Sequence, residues 1–220
     1  RSHVSLGQLD AAIEIYKQAI KIKPDYAEAY SNMGIALDKK GELDAAIDSY
    51  KHAIKIKPDY AEAYSNMGIA LHEKGELDAA VDSYKHAIKI KPDYAGAYYN
   101  MGVALQKKGE LDAAIDSYKH VIKIKPDYAE AYSNMGVALH EKGELDAAIE
   151  IYKHAMKIKP DFAEAYSNMG NALKGKGNID ATKLATNKLL KLSQIMQKLL
   201  LICPRHLRIY LNQKIGWNYV

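Results

Sequence analysis

Between residues 61 and 94, apolar residues fall into two stripes, and each stripe has the spacing of one face of an α-helix. The first stripe follows the spacing i, i+3, i+4, i+7 and consists of Tyr64, Met67, Gly68 and Leu71. The second consists of Leu77, Ala80, Val81, Tyr84, Ala87 and Ile88. Gly75 lies between them and suits the left-handed conformation that ends a helix, and Pro92 stops the second helix because it lacks an amide hydrogen. The pattern predicts two amphipathic helices joined by a short turn.

The same two stripes recur every 34 residues. Four full repeats span residues 27–60, 61–94, 95–128 and 129–162, and the first two differ at only three positions. A partial repeat occupies residues 1–26, and a degenerate fifth repeat, 163–196, loses the pattern after Gly177. An internal period of this size indicates a solenoid, because one unit is too small to bury its own apolar face. We number positions within a repeat from its first residue, so that Ala27 and Ala61 both occupy position 1.

Residues at fixed offsets carry a resemblance to the tetratricopeptide repeat (TPR). In the second full repeat they are Tyr64, Met67, Gly68, Leu71, Ala80, Tyr84, Ala87 and Pro92. The resemblance implies an all-α fold, a right-handed superhelical solenoid of stacked antiparallel helix pairs (a TPR array). Small residues at positions 8 and 20 would let the two helices of a pair approach closely, while the aromatic residue at position 24 fills the space beside them.

Two further patterns concern the ends and the surface of the helices. Asp59 and Glu62 resemble a capping box, so we expect the Asp of each repeat to cap the next helix. Position 13 alternates in charge through Lys39, Glu73 and Lys107, so we expect neighbouring first helices to pair these charges.

Residues 178–220 differ in charge from the TPR array at 1–177. They hold seven basic residues and one acidic residue, for a net charge of +6, whereas the whole chain carries +4. We expect a basic C-terminal capping helix and tail, because the end of a solenoid needs its apolar face covered. Two alternatives stay open: a basic surface helix for nucleic acid or anionic lipid, and a tail that is poorly ordered or not native to the array. We expect no nucleic-acid partner.

Composition narrows the class of protein. With 48% hydrophobic and 26% charged residues, the chain has the make-up of an ordinary globular protein. No apolar run is long enough to span a membrane. The single cysteine, Cys203, excludes an internal disulfide and suits a reducing compartment, so we predict a cytoplasmic location.

The histidines are the first candidates for chemistry. They recur at position 26 in four repeats and at position 12 in two: His52, His86, His120, His154, His72 and His140. Side chains one repeat apart should lie on the order of 10 Å from each other, whereas the donors of a metal site lie about 2 Å from one ion. We predict solvated surface histidines, no metal, no cofactor and no enzymatic activity.

One face of the first helix is the candidate binding surface. Positions 2, 6, 9 and 13 share this face, which points away from the stripe at positions 4, 7, 8 and 11. Position 6 is asparagine in every repeat: Asn32, Asn66, Asn100, Asn134 and Asn168. This row resembles the asparagine ladder of the O-linked N-acetylglucosamine transferase repeats, which grips extended peptide backbones. An amide both donates and accepts hydrogen bonds, so it can hold a backbone without reading its sequence. Alternatively, the asparagines were copied with the repeat and make local hydrogen bonds.

The neighbouring positions refine this candidate. Glu62 and Glu130, at position 2, belong to the predicted peptide-binding set, although each also suits the start of a helix. The dicarboxylate clamp of chaperone-binding TPR proteins needs Lys or Arg at positions 2, 5 and 6 and does not match. The third repeat departs from the others, because Gly96 replaces the Glu and Tyr99 replaces a Ser. We predict that Tyr99 lies beside Asn100 and that the floor of the groove is wider in the third repeat than in the others.

The sequence therefore predicts a protein–protein interaction scaffold that binds an extended peptide or a partner protein in a concave groove. One alternative is the substrate-recruiting TPR portion of a larger enzyme, such as a glycosyltransferase. Another is a scaffold that self-associates through its N-terminal edge, with Ile13, Tyr16 and Ile20 in the contact.

Overall fold

The computed structural model describes residues 6–177 of the chain. In that range the chain forms ten α-helices and no strand. They are α1 (Leu6–Ile22), α2 (Ala27–Lys40), α3 (Leu43–Ile56), α4 (Ala61–Lys74), α5 (Leu77–Ile90), α6 (Ala95–Lys107), α7 (Leu111–Ile124), α8 (Ala129–Glu141), α9 (Leu145–Ile158) and α10 (Ala163–Gly175). The all-α array of stacked antiparallel helix pairs is confirmed.

The described helices belong to two compact units, and the boundary between Ala131 and Tyr132 falls inside α8. In the first unit, helices α1 to α6 each pack against the next helix in sequence, and α6 packs against α7. The first helices of successive repeats also touch, since α4 contacts both α2 and α6. In the second unit α9 packs against α10.

Each helix pair closes around a glycine that faces a tyrosine. A Cβ added to Gly68 would lie 2.6 Å from Cε1 of Tyr84, a ring that is itself only 1% exposed. Gly34, Gly102 and Gly136 face Tyr50, Tyr118 and Tyr152 in the same way. The close approach expected between positions 8 and 24 is confirmed in all four full repeats, and the alanine at position 20 is fully buried in each of them.

Burial of the first helices is broader than the apolar stripe predicts. Alanines at positions 1, 3 and 10 are buried, as Ala61, Ala63 and Ala70 show in α4. The serine at position 5 is buried too, since Ser31 and Ser65 are 2% and 3% exposed. The larger residues Tyr64 and Met67 are only half-buried. Small side chains occupy the closest contacts because α4 is flanked by several helices, and the larger ones lie at the margins.

The turn between the helices of a pair follows the prediction. Gly75 has φ 85° and its N–H donates to the carbonyl of His72, while the N–H of Glu76 donates to the carbonyl of Leu71. This is the left-handed helix end that favours glycine. The second helix of this repeat ends at Ile90, two residues before Pro92.

The predicted capping box is wrong at the starts of α2, α4, α6 and α10, where the residue before the helix makes no side-chain capping bond. The residue that precedes α4 is Tyr60, which makes no side-chain capping bond. Asp59 contributes its backbone carbonyl instead, which accepts the N–H of Ala61 at 3.1 Å. The carboxylate of Glu62 lies 3.7 Å from the ammonium group of Lys91. A capping box needs the polar side chain immediately before the helix, and here a tyrosine has that place.

Ion pairs between neighbouring repeats use position 14 rather than the predicted position 13. Lys74 lies 2.6 Å from Asp44 of the preceding repeat and 2.7 Å from Glu76 of its own. Hydrogen bonds to these two carboxylates raise the pKa of Lys74. Lys40 with Asp10, Lys108 with Asp78, and Lys176 with Asp146 repeat the arrangement. In the described part of the chain, Lys39, Glu73 and Lys107 form no ion pair with one another.

The predicted capping helix, the tail at 178–220 and Cys203 lie outside the described residues. So does the predicted second helix of the fifth repeat, whose first helix is α10. No helix within residues 6–177 has both the length and the apolar character needed to cross a bilayer.

The glycine–tyrosine contact yields a stability prediction. Gly68→Ala should lower the free energy of unfolding by about 1–3 kcal/mol, because the added methyl group has to displace a buried ring. Gly7→Ala is the control, since nothing lies within 4 Å of a Cβ at Gly7 in α1, and it should be neutral or slightly stabilising. Urea unfolding measures both. Equal stability of Gly68→Ala and the parent would contradict the account.

The buried tyrosines predict a loss of stability in alkali. Burial raises the pKa of the Tyr50, Tyr84 and Tyr152 hydroxyls above their ordinary value of 10.0. The folded protein therefore binds more protons than the unfolded chain above about pH 10, so the free energy of unfolding should fall as the pH rises through that value. Tyr84→Phe should make this fall shallower, whereas the same change at the exposed Tyr26 should not. Urea unfolding from pH 8 to 11 gives the slopes, and identical slopes for parent and Tyr84→Phe would refute the explanation.

Candidate functional site

Three of the predicted asparagines occupy equivalent places on helices that touch. Asn32, Asn66 and Asn100 lie at position 6 of α2, α4 and α6, and α4 contacts the other two helices. Asn32 is exposed and the other two are half-buried. None of the three side chains makes a hydrogen bond within the described residues. Their amide groups are therefore open to an external partner.

Around these amides the surface is partly apolar and partly charged. Position 9 carries half-buried Ile35, Ile69 and Val103, and position 13 carries exposed Lys39, Glu73 and Lys107. We call the surface formed by these six residues and by Asn32, Asn66 and Asn100 the asparagine face. A half-exposed apolar strip beside amides that can donate and accept suits a ligand with both backbone polar groups and side chains.

Asn134 and Asn168 lie in the second unit. Asn134 of α8 is half-buried and has an interaction of its own, so it differs from the other ladder positions. Asn168 of α10 is half-buried and makes no hydrogen bond in the described residues. The predicted alternative of local hydrogen bonding therefore does not describe Asn32, Asn66, Asn100 or Asn168.

Two of the glutamates at position 2 form ion pairs at the edge of the repeat. Glu28 lies 3.4 Å from Lys57, and Glu62 lies 3.7 Å from Lys91. A hydrogen bond from its own backbone N–H, together with the Lys57 ammonium, holds the pKa of Glu28 below its ordinary value. Glu130 is half-buried and also has a partner.

Tyr99 packs into an aromatic cluster rather than standing alone beside Asn100. Its ring stacks on Tyr128 at a centroid distance of 5.2 Å and meets Tyr118 at 6.1 Å with a tilt of 58°. Tyr99 and Tyr128 are both half-buried. The serine that occupies this position in the neighbouring repeat is 3% exposed, so position 5 faces the interior of the pair more than the asparagine face.

Histidines at position 26 make a contact that helical spacing does not reveal. Each one stacks on the tyrosine at position 4 of its own repeat, as His52 does on Tyr30 at 5.3 Å and His120 does on Tyr98 at 4.8 Å. The Nδ1–H of His52 also donates to the carbonyl of Asp48 at 2.9 Å. A signal for this contact exists in the sequence, because Tyr at position 4 and His at position 26 occur together in every full repeat.

Position 12 departs from the predicted solvated surface histidines, since His72 and His140 are half-buried. The hydroxyl of Tyr118 donates to Oε1 of Gln106, at position 12 of the same repeat, over 3.2 Å. The equivalent His72 has a buried Nε2 that finds no partner in the described residues, and burial together with the nearby Lys107 lowers its pKa.

The opposite side of the first unit carries two shallow clefts, at equivalent places between successive second helices. Their volumes are about 430 and 560 Å³. Met101 and Leu105 belong to the lining of the smaller one, together with His120 and the ion-paired Lys108. Within residues 6–177, no group of three or more His, Cys, Asp or Glu side chains could hold a metal ion.

Comparisons with solved structures give the same fold. MamA is 33% identical over 76% of this chain and 97% of its own, with a TM-score of 0.72. MamA 41-end from Desulfovibrio magneticus RS-1 is 23% identical over 76% of this chain and 95% of its own, with a TM-score of 0.72. YrrB, a TPR protein with an unusual peptide-binding site, is 22% identical over 92% of this chain and 100% of its own, with a TM-score of 0.69. A search of curated proteins finds no match.

The family comparison covers most of the chain. The TPR repeat matches residues 1–41, 36–75, 70–109, 107–143 and 137–177. These stretches contain all ten described helices and every residue of the asparagine face. The chain belongs to the TPR repeat family.

Proposed function

We propose that the protein is a non-catalytic interaction scaffold that binds an extended peptide segment of a partner along the asparagine face. The observation that carries the proposal is the set of open amides: Asn32, Asn66 and Asn100 repeat on adjoining helices and make no internal hydrogen bond in the described chain. An extended peptide presents backbone N–H and C=O groups along its length, and each amide can satisfy one of each. The similarity to YrrB supports a peptide ligand.

The adjoining residues fit such a ligand as well. Ile69 and Val103 offer half-buried apolar surface between the amides, where ligand side chains can pack. Glu73 and Lys107 add charges of opposite sign along the same face. The amides would bind the backbone of peptides of many sequences, and the adjoining apolar and charged residues would add preferences for particular side chains.

A self-associating scaffold is a second candidate. Of the three residues predicted for its contact, Ile13 is only 6% exposed and belongs to the core, whereas Tyr16 and Ile20 are half-buried. Ile15 and Ile22 of α1 are 66% and 85% exposed. Exposed isoleucines on one helix favour a protein contact at α1. A role in a larger enzyme such as a glycosyltransferase rests on the resemblance of the asparagine ladder alone.

Removing the three amides tests the binding proposal. Replacement of Asn32, Asn66 and Asn100 by Ala should weaken binding by about 1.5–4.5 kcal/mol, because each amide contributes about 0.5–1.5 kcal/mol and the sites are separate. The probe is an array of immobilised 12-residue peptides of random sequence. Thermal stability should not fall, since Ala favours a helix more than Asn does.

The matched control truncates three exposed lysines at position 25 of the second helices: Lys51, Lys85 and Lys119. This triple variant should bind the array as the parent does. Unchanged binding by the asparagine variant to every peptide that the parent retains would refute the asparagine face as the binding surface.

Tyr99 should contribute to both folding and peptide choice. Tyr99→Ser should lower the free energy of unfolding by about 1–3 kcal/mol, because it removes the packing on Tyr118 and Tyr128. Tyr99→Phe keeps the ring and should stay close to the parent. At temperatures where all three proteins are folded, only Tyr99→Ser should alter which peptides the array retains. An unchanged melting temperature for Tyr99→Ser would show that the cluster does not stabilise the fold.

A further inference from the structure

In each of the first two full repeats, a glutamate near the start of the repeat forms an ion pair with a lysine near its end. Glu28 at position 2 pairs with Lys57 at position 31 over 3.4 Å, and Glu62 pairs with Lys91 over 3.7 Å. The same lysines lie over aromatic rings at position 34, with Lys57 4.7 Å from the centre of Tyr60 and Lys91 5.1 Å from the centre of Tyr94. In these repeats the lysine charge is satisfied from within the chain.

The third repeat has the lysine at position 31 but lacks both the glutamate and the ring contact that the lysine makes in the first two repeats. Gly96 stands where the glutamate would be, and Lys125 is exposed. In the part of the chain that the structure describes, the ammonium group of Lys125 has no ion pair, hydrogen bond or ring contact. The position-34 ring, Tyr128, stacks on Tyr99 instead.

The place of the missing carboxylate is open and carries positive potential. A Cβ added at Gly96 would meet only the ring of Tyr94, at 3.4 Å, within a radius of 4 Å. The first turn of α6 contains no acidic residue, whereas those of α2 and α4 contain Glu28 and Glu62. An anion near the first N–H groups of a helix is stabilised by the helix dipole. The backbone N–H of Glu28 donates to its own carboxylate, an acceptor that Gly96 cannot supply.

We propose that the third repeat recognises an acidic side chain of the bound peptide, whose carboxylate takes the place of the missing glutamate. The carboxylate pairs with Lys125 and accepts a hydrogen bond from the N–H of Gly96, with the ring of Tyr94 beside it. This inference rests on the proposed function. Gly96 and Asn100 are four residues apart on α6, so they share one helix face, and a peptide held by Asn100 brings its next side chains to Gly96.

The cation of this site comes from the end of a second helix, at position 31, and the first helix contributes only a backbone N–H. Selectivity for an acidic side chain therefore depends on the missing position-2 glutamate of the third repeat. In the first two repeats, Glu28 and Glu62 occupy the same place. One acidic residue in the ligand would then set the register of an otherwise sequence-tolerant grip.

A library with one fixed position tests the proposal. The probe is an array of random 12-residue peptides, each made with Glu and with Gln at the same central position. The parent should bind the Glu members about three- to tenfold more tightly, and the ratio should shrink with added salt, as an exposed ion pair at a helix start requires. Lys125→Gln should remove the preference, whereas Lys57→Gln, distant from Gly96 in the first repeat, should leave it.

Two variants at Gly96 test whether the place of the missing carboxylate has to be open. Gly96→Glu restores the internal pair and should abolish the preference. Gly96→Ala adds only a Cβ in ordinary contact with the ring of Tyr94, leaves the place open and should retain the preference. A second measurement needs no peptide: acylation of lysines followed by mass spectrometry should label Lys125 about two- to fivefold faster than Lys57 and Lys91, which are held in ion pairs. Gly96→Glu should bring Lys125 down to their rate.

The outcomes distinguish the two proposals. If the parent binds many peptides but treats Glu and Gln members alike, or if Lys125→Gln keeps the preference, the acidic site is wrong and the backbone grip survives. If the parent retains no peptide of either set, the proposed function fails and the acidic site fails with it. Equal labelling of Lys125, Lys57 and Lys91 would overturn the premise that Lys125 is unpaired.

Discussion

The close contact between a glycine on one helix and a buried tyrosine on the next holds each repeat together. In the second full repeat, the ring of Tyr84 lies so near the backbone of Gly68 that no side chain fits between them. The approach brings alanines at positions 1, 3 and 10 into full burial, because the first helix is enclosed by its partner and by the neighbouring repeats. Interiors of this density tolerate few changes in volume, so the glycine and the tyrosine have to be kept together.

A helix enclosed in this way keeps one partly exposed face, and that face carries the asparagines. Asn66 and Asn100 contribute nothing to the internal hydrogen bonds of the described chain, whereas the serines beside them, such as Ser65, are buried. Charged side chains connect neighbouring repeats, since Lys74 forms an ion pair with Asp44 of the preceding repeat. The packing residues, the repeat-to-repeat ion pairs and the open amides thus occupy different positions of the same short unit.

The sequence predicted what depends on one helix alone, and it missed contacts made across helices. Gly75 and Pro92 located the helix ends, and the spacing of Tyr64, Gly68 and Leu71 found the packed side of α4. Helical spacing gives the direction of a side chain but not its partner on another element. The stacking of His52 on Tyr30 and the packing of Tyr99 on Tyr128 therefore could not be predicted from helical spacing. The recurrence of asparagine at position 6 is visible in the sequence, whereas its role in peptide binding stays a prediction.

The most direct test of the asparagine face is to observe its amides while a peptide binds. Side-chain NH₂ resonances of Asn32, Asn66 and Asn100 can be followed by ¹⁵N nuclear magnetic resonance during titration with an extended peptide selected on the array. The account predicts that these three resonances shift together and saturate at the affinity measured for the peptide, while the ring signals of His86 and His120 on the opposite side stay in place. Saturating shifts at His86 and His120 with unmoved asparagine amides would contradict it.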